Sequence, residues 1–459
     1  MRRYVIIGSG AAGMSAAEAI RRLDPSGMLW VVSDDPHGYY SRPGLAYYLT
    51  GDIPREMLFP FPKEHWRELG IRWHTGSVTA IDTDQHVLTL EKGQTLPYDR
   101  LLIATGAEAQ LPDIPGNKLE GVLRLDGLDD ADQMLRLARR WQPAVVSGGG
   151  ITALEIVEAL AARGMKVHYL LRGDRYWNSV LDESESRIVE DRLKAEGILI
   201  HYKTNLVEIM GRHNKVAGAK VANGESERII PCSVVGVAIG IRPRAGLAKA
   251  AGIQVGRGIR VSECLETSAP DIFAAGDVAE VRDPLSGEYM LDSLWGPAIE
   301  MGMAAGWGMS GQLSPYIKAA PFNVTRLAGL VTTIIGQVAV NSGDKGKDKD
   351  TGGNIMRGDS EVWRTHPEAV VADTHQGSNR VRLYMRGNLL AGALVMGDQS
   401  FSRALQRIIR GQHDIGDLRA VLMQPGVRVA DVLENYIGSF SRQDVSLPSG
   451  APSPVGSPQ

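Results

Sequence analysis

Gly8-Ser-Gly10-Ala-Ala12-Gly13 follows the apolar run Tyr4-Val5-Ile6-Ile7 and opens an Ala-rich stretch, in the order strand, tight turn, helix. Glycines at this spacing permit the turn, let backbone approach a pyrophosphate and seat the helix closely, while the helix N-terminus presents its amides. Gly8, Gly10, Ala12 and Gly13 are therefore candidates for a dinucleotide site. Residues 28–32 form the next strand and run into Ser33-Asp34-Asp35, where a carboxylate would accept from ribose hydroxyls; the alternative is an ordinary junction with solvated acids. The device recurs 140 residues later as Gly148-Gly-Gly150-Ile151-Thr-Ala153, with Glu155 just inside the helix. Its following strand, 166–171, ends in Leu171-Arg172-Gly173-Asp174-Arg175 with no acid at the tip. Arg172 and Arg175 would meet a 2′-phosphate through forked donors, or are surface arginines beside a dinucleotide lacking that phosphate. A third signal is Thr267-Ser-Ala-Pro270-Asp-Ile-Phe-Ala-Ala-Gly276-Asp277-Val278: a strand runs into Gly-Asp, where backbone meets a ligand and a carboxylate can accept from a polyol.

These groups need a scaffold that brings strand ends together. Short apolar runs alternate with helical stretches through the first 280 positions, which predicts an α/β fold of parallel sheets built from βαβ units. Two Rossmann-like dinucleotide-binding domains are expected, the second inserted in the first: residues 1–112 and 243–314, then 113–242. Residues 315–440 change texture, with strand-like segments at 331–340, 369–372, 381–385 and 389–395 and a helix at 400–410, and predict a C-terminal α+β domain. The polar stretch 341–354 reads as an exposed loop, and 441–459 as a disordered Pro/Ser/Gly tail.

Composition bounds the function classes. The 459 residues carry 50 Lys+Arg against 53 Asp+Glu, a net charge of −3, so no nucleic-acid footprint is expected. Cys232 and Cys264 are too few and too far apart for a disulfide framework, a metal cage or a CxxC pair, which points to a cytoplasmic protein without a metal centre. Arg2-Arg3 is followed by no long apolar segment, so neither a signal peptide nor integral membrane association is expected. The apolar set Phe401, Leu405, Ile408 and Ile409 fits a membrane-lying helix or, more simply, a helix packed under a sheet. His37, His65 and His74 read as surface residues.

Two glycine loops followed by Gly276-Asp277, with Thr105-Gly106-Ala107 and Ala238-Ile-Gly240-Ile-Arg-Pro243 between, resemble the FAD- and NAD(P)H-dependent pyridine nucleotide-disulfide oxidoreductases, over residues 3–311. The resemblance implies FAD in the first module and NAD(P)H in the second, with Asp277 on the ribitol. Val78, Thr105, Gly106, Ile151, Gly240 and Trp295 join the implied cofactor contacts. Tyr40-Ser41-Arg42-Pro43-Gly-Leu45 is similar to the segment that runs beside the flavin in rubredoxin and ferredoxin reductases and in the flavin modules of nitrite reductases, so Arg42 would line the flavin. Phe322-Asn-Val-Thr-Arg326-Leu-Ala-Gly329 and Gly392-Ala-Leu-Val-Met-Gly-Asp398 resemble those nitrite-reductase modules more loosely.

The chain departs from the family at two places. Residues 39–51 contain no cysteine, so disulfide, peroxide and coenzyme-A-disulfide chemistry is not expected. Where relatives carry a Lys that pairs with the glutamate matching Glu155, Ala46-Tyr47 stands instead; Glu155 and Tyr47 are the candidate catalytic residues. The expected function is hydride transfer from NAD(P)H to FAD and electron delivery to an external acceptor, either an iron–sulfur or rubredoxin-type protein or a small molecule such as a quinone. A non-enzymatic redox sensor is the reading from another class. The resemblance also implies that the distal domain packs against the flavin side and helps build either a homodimer interface or the acceptor dock.

Overall fold

In the computed structural model, residues 1–284, 287–338, 370–424 and 426–440 are described. The 341–354 loop and the 441–459 tail lie outside them. The first sheet has five parallel strands in the order Ile272–Ala274, Arg100–Ile103, Arg3–Ile7, Met28–Ser33, Ile71–Thr75. A strand from residue 272 thus returns to a sheet begun at residue 3. The second sheet, also parallel, runs Leu199–His201, Lys166–Leu170, Pro143–Ser147, Val234–Val237, Val122–Leu123. Val5, Ile6, Leu101, Leu102, Val145 and Val235 have no exposed surface, as strands covered on both faces require.

Each glycine turn leaves the carboxyl end of its sheet's central strand and enters a helix, Ala11–Leu23 or Ile151–Ala162. Ligands in open α/β sheets bind beyond these ends. The first helix crosses the helix Trp295–Met309 closely because glycines face alanines: a Cβ at Gly302 would lie 2.2 Å from the Ala12 carbonyl oxygen, and one at Gly306 2.6 Å from that of Ala16. Trp295 opens this second helix and so reaches the same end of the sheet.

The distal part of the chain forms a five-stranded antiparallel sheet in the order Phe322–Leu327, Leu330–Gly336, Leu389–Met396, Asn379–Arg386, Val370–Gln376. Of the run expected over 331–340, residues 339 and 340 lie outside the described residues, and the strand ends at Gly336, whose φ is +61°. The strand expected at 369–372 extends to Gln376, because its pairing with Asn379–Arg386 continues through the turn. The helix Ser402–Arg410 buries Phe401, Leu405, Ile408 and Ile409 with Ile335 and Val395, so this apolar face is core. No helix among the described residues is long and apolar enough to cross a membrane. His65 differs from its expected surface role: it stacks on Phe61 at 4.7 Å, lies edge-on to Trp66 and meets Glu18 at 3.0 Å.

Candidate functional site

A cavity of about 1080 Å³ opens between the two glycine-loop helices and the distal hairpin. Of the residues singled out in the sequence, Gly8, Gly10, Ala12, Asp34, Asp35, Val78, Thr105, Gly106, Gly276 and Asp277 line its first-sheet side. Arg42, Tyr47, Ile151, Glu155 and Trp295 line the remainder. Gly10 has no atom within 4 Å of where a Cβ would stand, so the turn presents bare backbone to the space. Gly13 is absent from the wall for a mechanical reason: its Cβ position is 2.1 Å from the Gly8 carbonyl oxygen, so it seats the helix on the turn.

The second loop behaves differently. Gly148, Gly150 and Gly240 do not line the cavity. Gly148 has φ +151° and a Cβ position 2.2 Å from the Ala238 oxygen, so it packs the loop against the neighbouring strand's exit, where Gly240 has φ +133°. Arg172 and Arg175 also stand outside the cavity wall. Arg172 is exposed, and Arg175 turns back to the Asp174 carboxylate at 3.2 Å. Their loop nevertheless flanks the second glycine turn, since Ser147 pairs with Leu170 at the ends of adjacent strands.

The acid pair at the first strand tip is split in role. Asp34 is exposed at the rim, while Asp35 accepts from the His37 amide at 2.9 Å and the Tyr40 hydroxyl at 3.1 Å. Arg42 donates to the Asp126 carbonyl at 2.8 Å and lies 3.9 Å from the Asp35 carboxylate. Burial works to lower the Arg42 guanidinium, but Tyr40, Asp126, Asp35 and Asp277 outweigh it and hold its pKa above the usual value. Arg42 thus stays a cation, with Asp277 among the groups that favour its charge. Burial pushes the Tyr40 phenol up to about 12, so it stays a neutral donor to Asp35. Trp295 packs at 6.2 Å from the Tyr39 ring.

Among the wall residues that sequence reasoning left unassigned, Asp126, Glu158 and Arg326 carry charge. Asp126 takes the Arg244 guanidinium at 2.9 Å as well as the Arg42 contact. Glu158 follows Glu155 by three positions on the same helix face, a spacing that could have flagged it. Arg326 comes from the distal hairpin, whose segment 322–329 carried a loose resemblance but no assigned role. Burial raises the Glu158 carboxyl to about 7, opposed by Arg326 and the Gly329 amide.

Neither cysteine reaches the cavity. Cys232 is buried among Val216, Ile230 and Val235, where desolvation raises its thiol to about 12. Cys264 is half-buried, and its thiol is raised by desolvation and by Glu266 and Glu263. Among the described residues no cluster of His, Cys, Asp and Glu is arranged to hold a metal ion.

The family model described as "Pyridine nucleotide-disulphide oxidoreductase" matches residues 2–302. The chain is 27% identical over 427 residues to the "Assimilatory nitrate reductase electron transfer subunit" of Bacillus subtilis, covering 92% of this chain and 51% of that protein. It therefore spans about half the length of that relative. It is 33% identical over 320 residues to an "NAD(P)H sulfur oxidoreductase (CoA-dependent)" of Pyrococcus abyssi, covering 68% of this chain and 70% of the relative. The fold matches the structure titled "Crystal structure of the covalent putidaredoxin reductase-putidaredoxin complex" with a TM-score of 0.81 at 22% identity, over 95% of this chain and 98% of that one.

Proposed function

The chain belongs to the pyridine nucleotide-disulphide oxidoreductase family, a family of FAD- and NAD(P)H-dependent oxidoreductases, and from that premise we propose that it oxidises NAD(P)H through FAD and passes electrons to an iron–sulfur or rubredoxin-type protein. The observation that carries this reading is one cavity reached by a bare glycine turn and lined by Asp34, Asp35, Arg42 and Asp277. Its volume of about 1080 Å³ suits a dinucleotide rather than a smaller ligand. In this reading residues 1–112 and 243–314 hold FAD, and residues 113–242 hold NAD(P)H. Bound FAD supplies the ability to take two electrons at once and release them singly.

The protein's part is orientation, dryness and charge. Gly8, Gly10 and the amides of the helix Ala11–Leu23 would hold the pyrophosphate, Asp34 or Asp35 the ribose, and Asp277 the ribitol. Arg42 would place positive charge along the flavin edge. Gly148 and Gly150 would receive the nicotinamide cofactor, with Arg172 or Arg175 available to a 2′-phosphate. Glu155 and Tyr47, both on the cavity wall, would in this reading face the meeting point of the two cofactors. The reading includes a cytoplasmic location and a homodimer built through the distal domain.

The purified protein is expected to carry one FAD. Asp277→Ala should weaken its binding roughly ten- to a hundredfold, from the loss of a charge-assisted acceptor worth about 1.5–3 kcal/mol. Flavin absorbance during dialysis reads the loss, and a folded wild-type protein that takes up no FAD would overturn the reading.

Sulfur chemistry of the Pyrococcus relative's kind would need a thiol near the flavin, and both cysteines are elsewhere. The double variant Cys232→Ser, Cys264→Ser is expected to keep NAD(P)H oxidation with ferricyanide. If flavin reduction survived while transfer to the acceptor vanished, a thiol relay would have to be added to the mechanism.

A further inference from the structure

The helix Ile151–Ala162 turns Ile151, Thr152, Glu155 and Glu158 to the cavity, so the two acids stand one turn apart on its wall. Opposite them is the distal hairpin formed by Phe322–Leu327 and Leu330–Gly336. Its turn is rigidly seated. Leu327 and Ala328 are fully buried in the core of the second module, the Gly329 amide donates to the Glu158 carboxylate at 3.1 Å, and Arg192 Nε donates to the Ala328 carbonyl at 2.6 Å.

Arg326 leaves this fixed turn and reaches the helix Gly44–Thr50 on the far side. Its guanidinium pairs with the Asp52 carboxylate at 2.5 Å, approaches the Thr50 hydroxyl at 3.4 Å and lies 5.0 Å from the centre of the Tyr47 ring. Tyr47 sits on a short helix and is 36% exposed. The guanidinium packs against its ring face, a contact that favours one ring orientation. Burial opposes the charge on Arg326, and Asp52, Glu158 and Tyr47 restore it.

The sequence lacks a cation at Ala46-Tyr47, and the fold supplies one from 280 residues away in the chain. We propose that Arg326 is a positioning residue for the nicotinamide half of the cavity, holding the Tyr47 ring as a platform, so that the distal hairpin is part of the site. This rests on the FAD and NAD(P)H reading above. The charged and titratable groups acting on Glu158 are Arg326, which favours its carboxylate, and Glu196 and Glu155, which oppose it; the buried phenols of Tyr169 and Tyr176 lie within its field.

The Glu158 carboxyl is raised from 4.5 to about 7, so the folded protein keeps a proton there that the unfolded chain has released. Stability from this group is present below 4.5 and falls as pH rises towards 7. Glu158→Gln should flatten the dependence of Tm on pH across that window. Arg326→Ala removes a charge that favours the carboxylate, so the fall should extend to higher pH.

The test compares holoenzyme of wild type, Arg326→Ala, Arg326→Lys and Glu158→Gln. For Arg326→Ala we expect unchanged FAD content, a KM for NAD(P)H raised roughly two- to fivefold as a ring platform loosens, and a raised midpoint in the pH profile of kcat/KM. Arg326→Lys keeps the charge, so it should restore the midpoint while recovering KM only in part. Equal losses of Tm in the alanine and lysine variants, with pH profiles and KM as in wild type, would overturn the proposal, since the arginine would then brace the fold alone. A wild type that binds no FAD or ignores NAD(P)H would instead defeat the functional reading. The Tm–pH slopes need no cofactor and still decide whether Arg326 governs Glu158.

Discussion

Gly8→Ala is expected to yield a protein that retains no FAD. Gly8 has φ +111°, a region closed to ordinary side chains, and a Cβ there would stand 2.2 Å from the Ala104 carbonyl oxygen and 2.8 Å from its carbon. Both neighbours are backbone, so no rotamer relieves the contact. The turn cannot slide either: the Gly8 amide donates to the Val32 carbonyl at 2.8 Å, and the Ala104 amide to the Ile7 carbonyl at 2.8 Å. Backbone strain of about 1–3 kcal/mol and overpacking of about 1–3 kcal/mol together take a large share of a typical stability of about 5–15 kcal/mol. The displaced segment leads directly into Thr105 and Gly106 on the cavity wall, so flavin should be lost before the fold is. Gly10→Ala is the matched comparison. Its φ is −78° and its Cβ meets nothing, so the variant should melt near wild type yet bind FAD weakly if a pyrophosphate lies against that backbone. The FAD-to-protein ratio and the Tm separate the two, and stoichiometric FAD in Gly8→Ala would show that the turn has been misread.

Much of this architecture was legible in the sequence because glycine turns are local devices. The spacing of Gly8, Gly10 and Gly13 encodes a strand exit, a bare turn and a helix start within six residues, and the structure forms all three there. The run into Gly276-Asp277 was legible for the same reason. Arg172 and Arg175 show the limit of such reasoning: adjacency to a strand tip places the loop, but not the side chains, and Arg175 is held by its neighbour Asp174. The segment holding Arg326 showed a loose family resemblance, but the role of the residue was beyond reach. Its partners Asp52 and Tyr47 belong to the other end of the chain, and its position depends on Leu327 and Ala328 finding a place in the second module's core. No periodicity records a contact between domains. Glu158 was half legible, since its helical spacing from Glu155 was visible but its burial was not.

The largest loss of stability is expected from Arg382→Ala, which breaks the buried joint between the distal sheet and the second module. Glu185, with no exposed surface, receives Arg382 on one oxygen at 2.8 Å and Arg380 on the other at 3.2 Å. It also closes a capping box with Asp182 at the start of the helix Glu183–Ala195. Arg380 reaches Asp182 at 2.5 Å and Asp373 at 2.8 Å, and Arg382 donates to the Val180 carbonyl at 2.9 Å. Burial raises the Glu185 carboxyl above its usual value even with two arginines beside it. Removing one of them leaves a buried carboxylate undercompensated, a change that costs about 3–5 kcal/mol. The sign of the pH dependence follows. With Glu185 raised further in the variant, the added loss should be smallest near pH 4 and grow as pH rises. Arg382→Ala combined with Glu185→Gln should recover part of the stability, because the uncompensated charge is gone, and the double-mutant cycle gives the coupling. The same variant should also raise KM for NAD(P)H with FAD still bound, since the sheet anchored by this joint carries the hairpin that presents Arg326. A loss below about 1 kcal/mol, the range of an exposed ion pair, would mean that water reaches the joint and that the hairpin is seated by its own apolar turn.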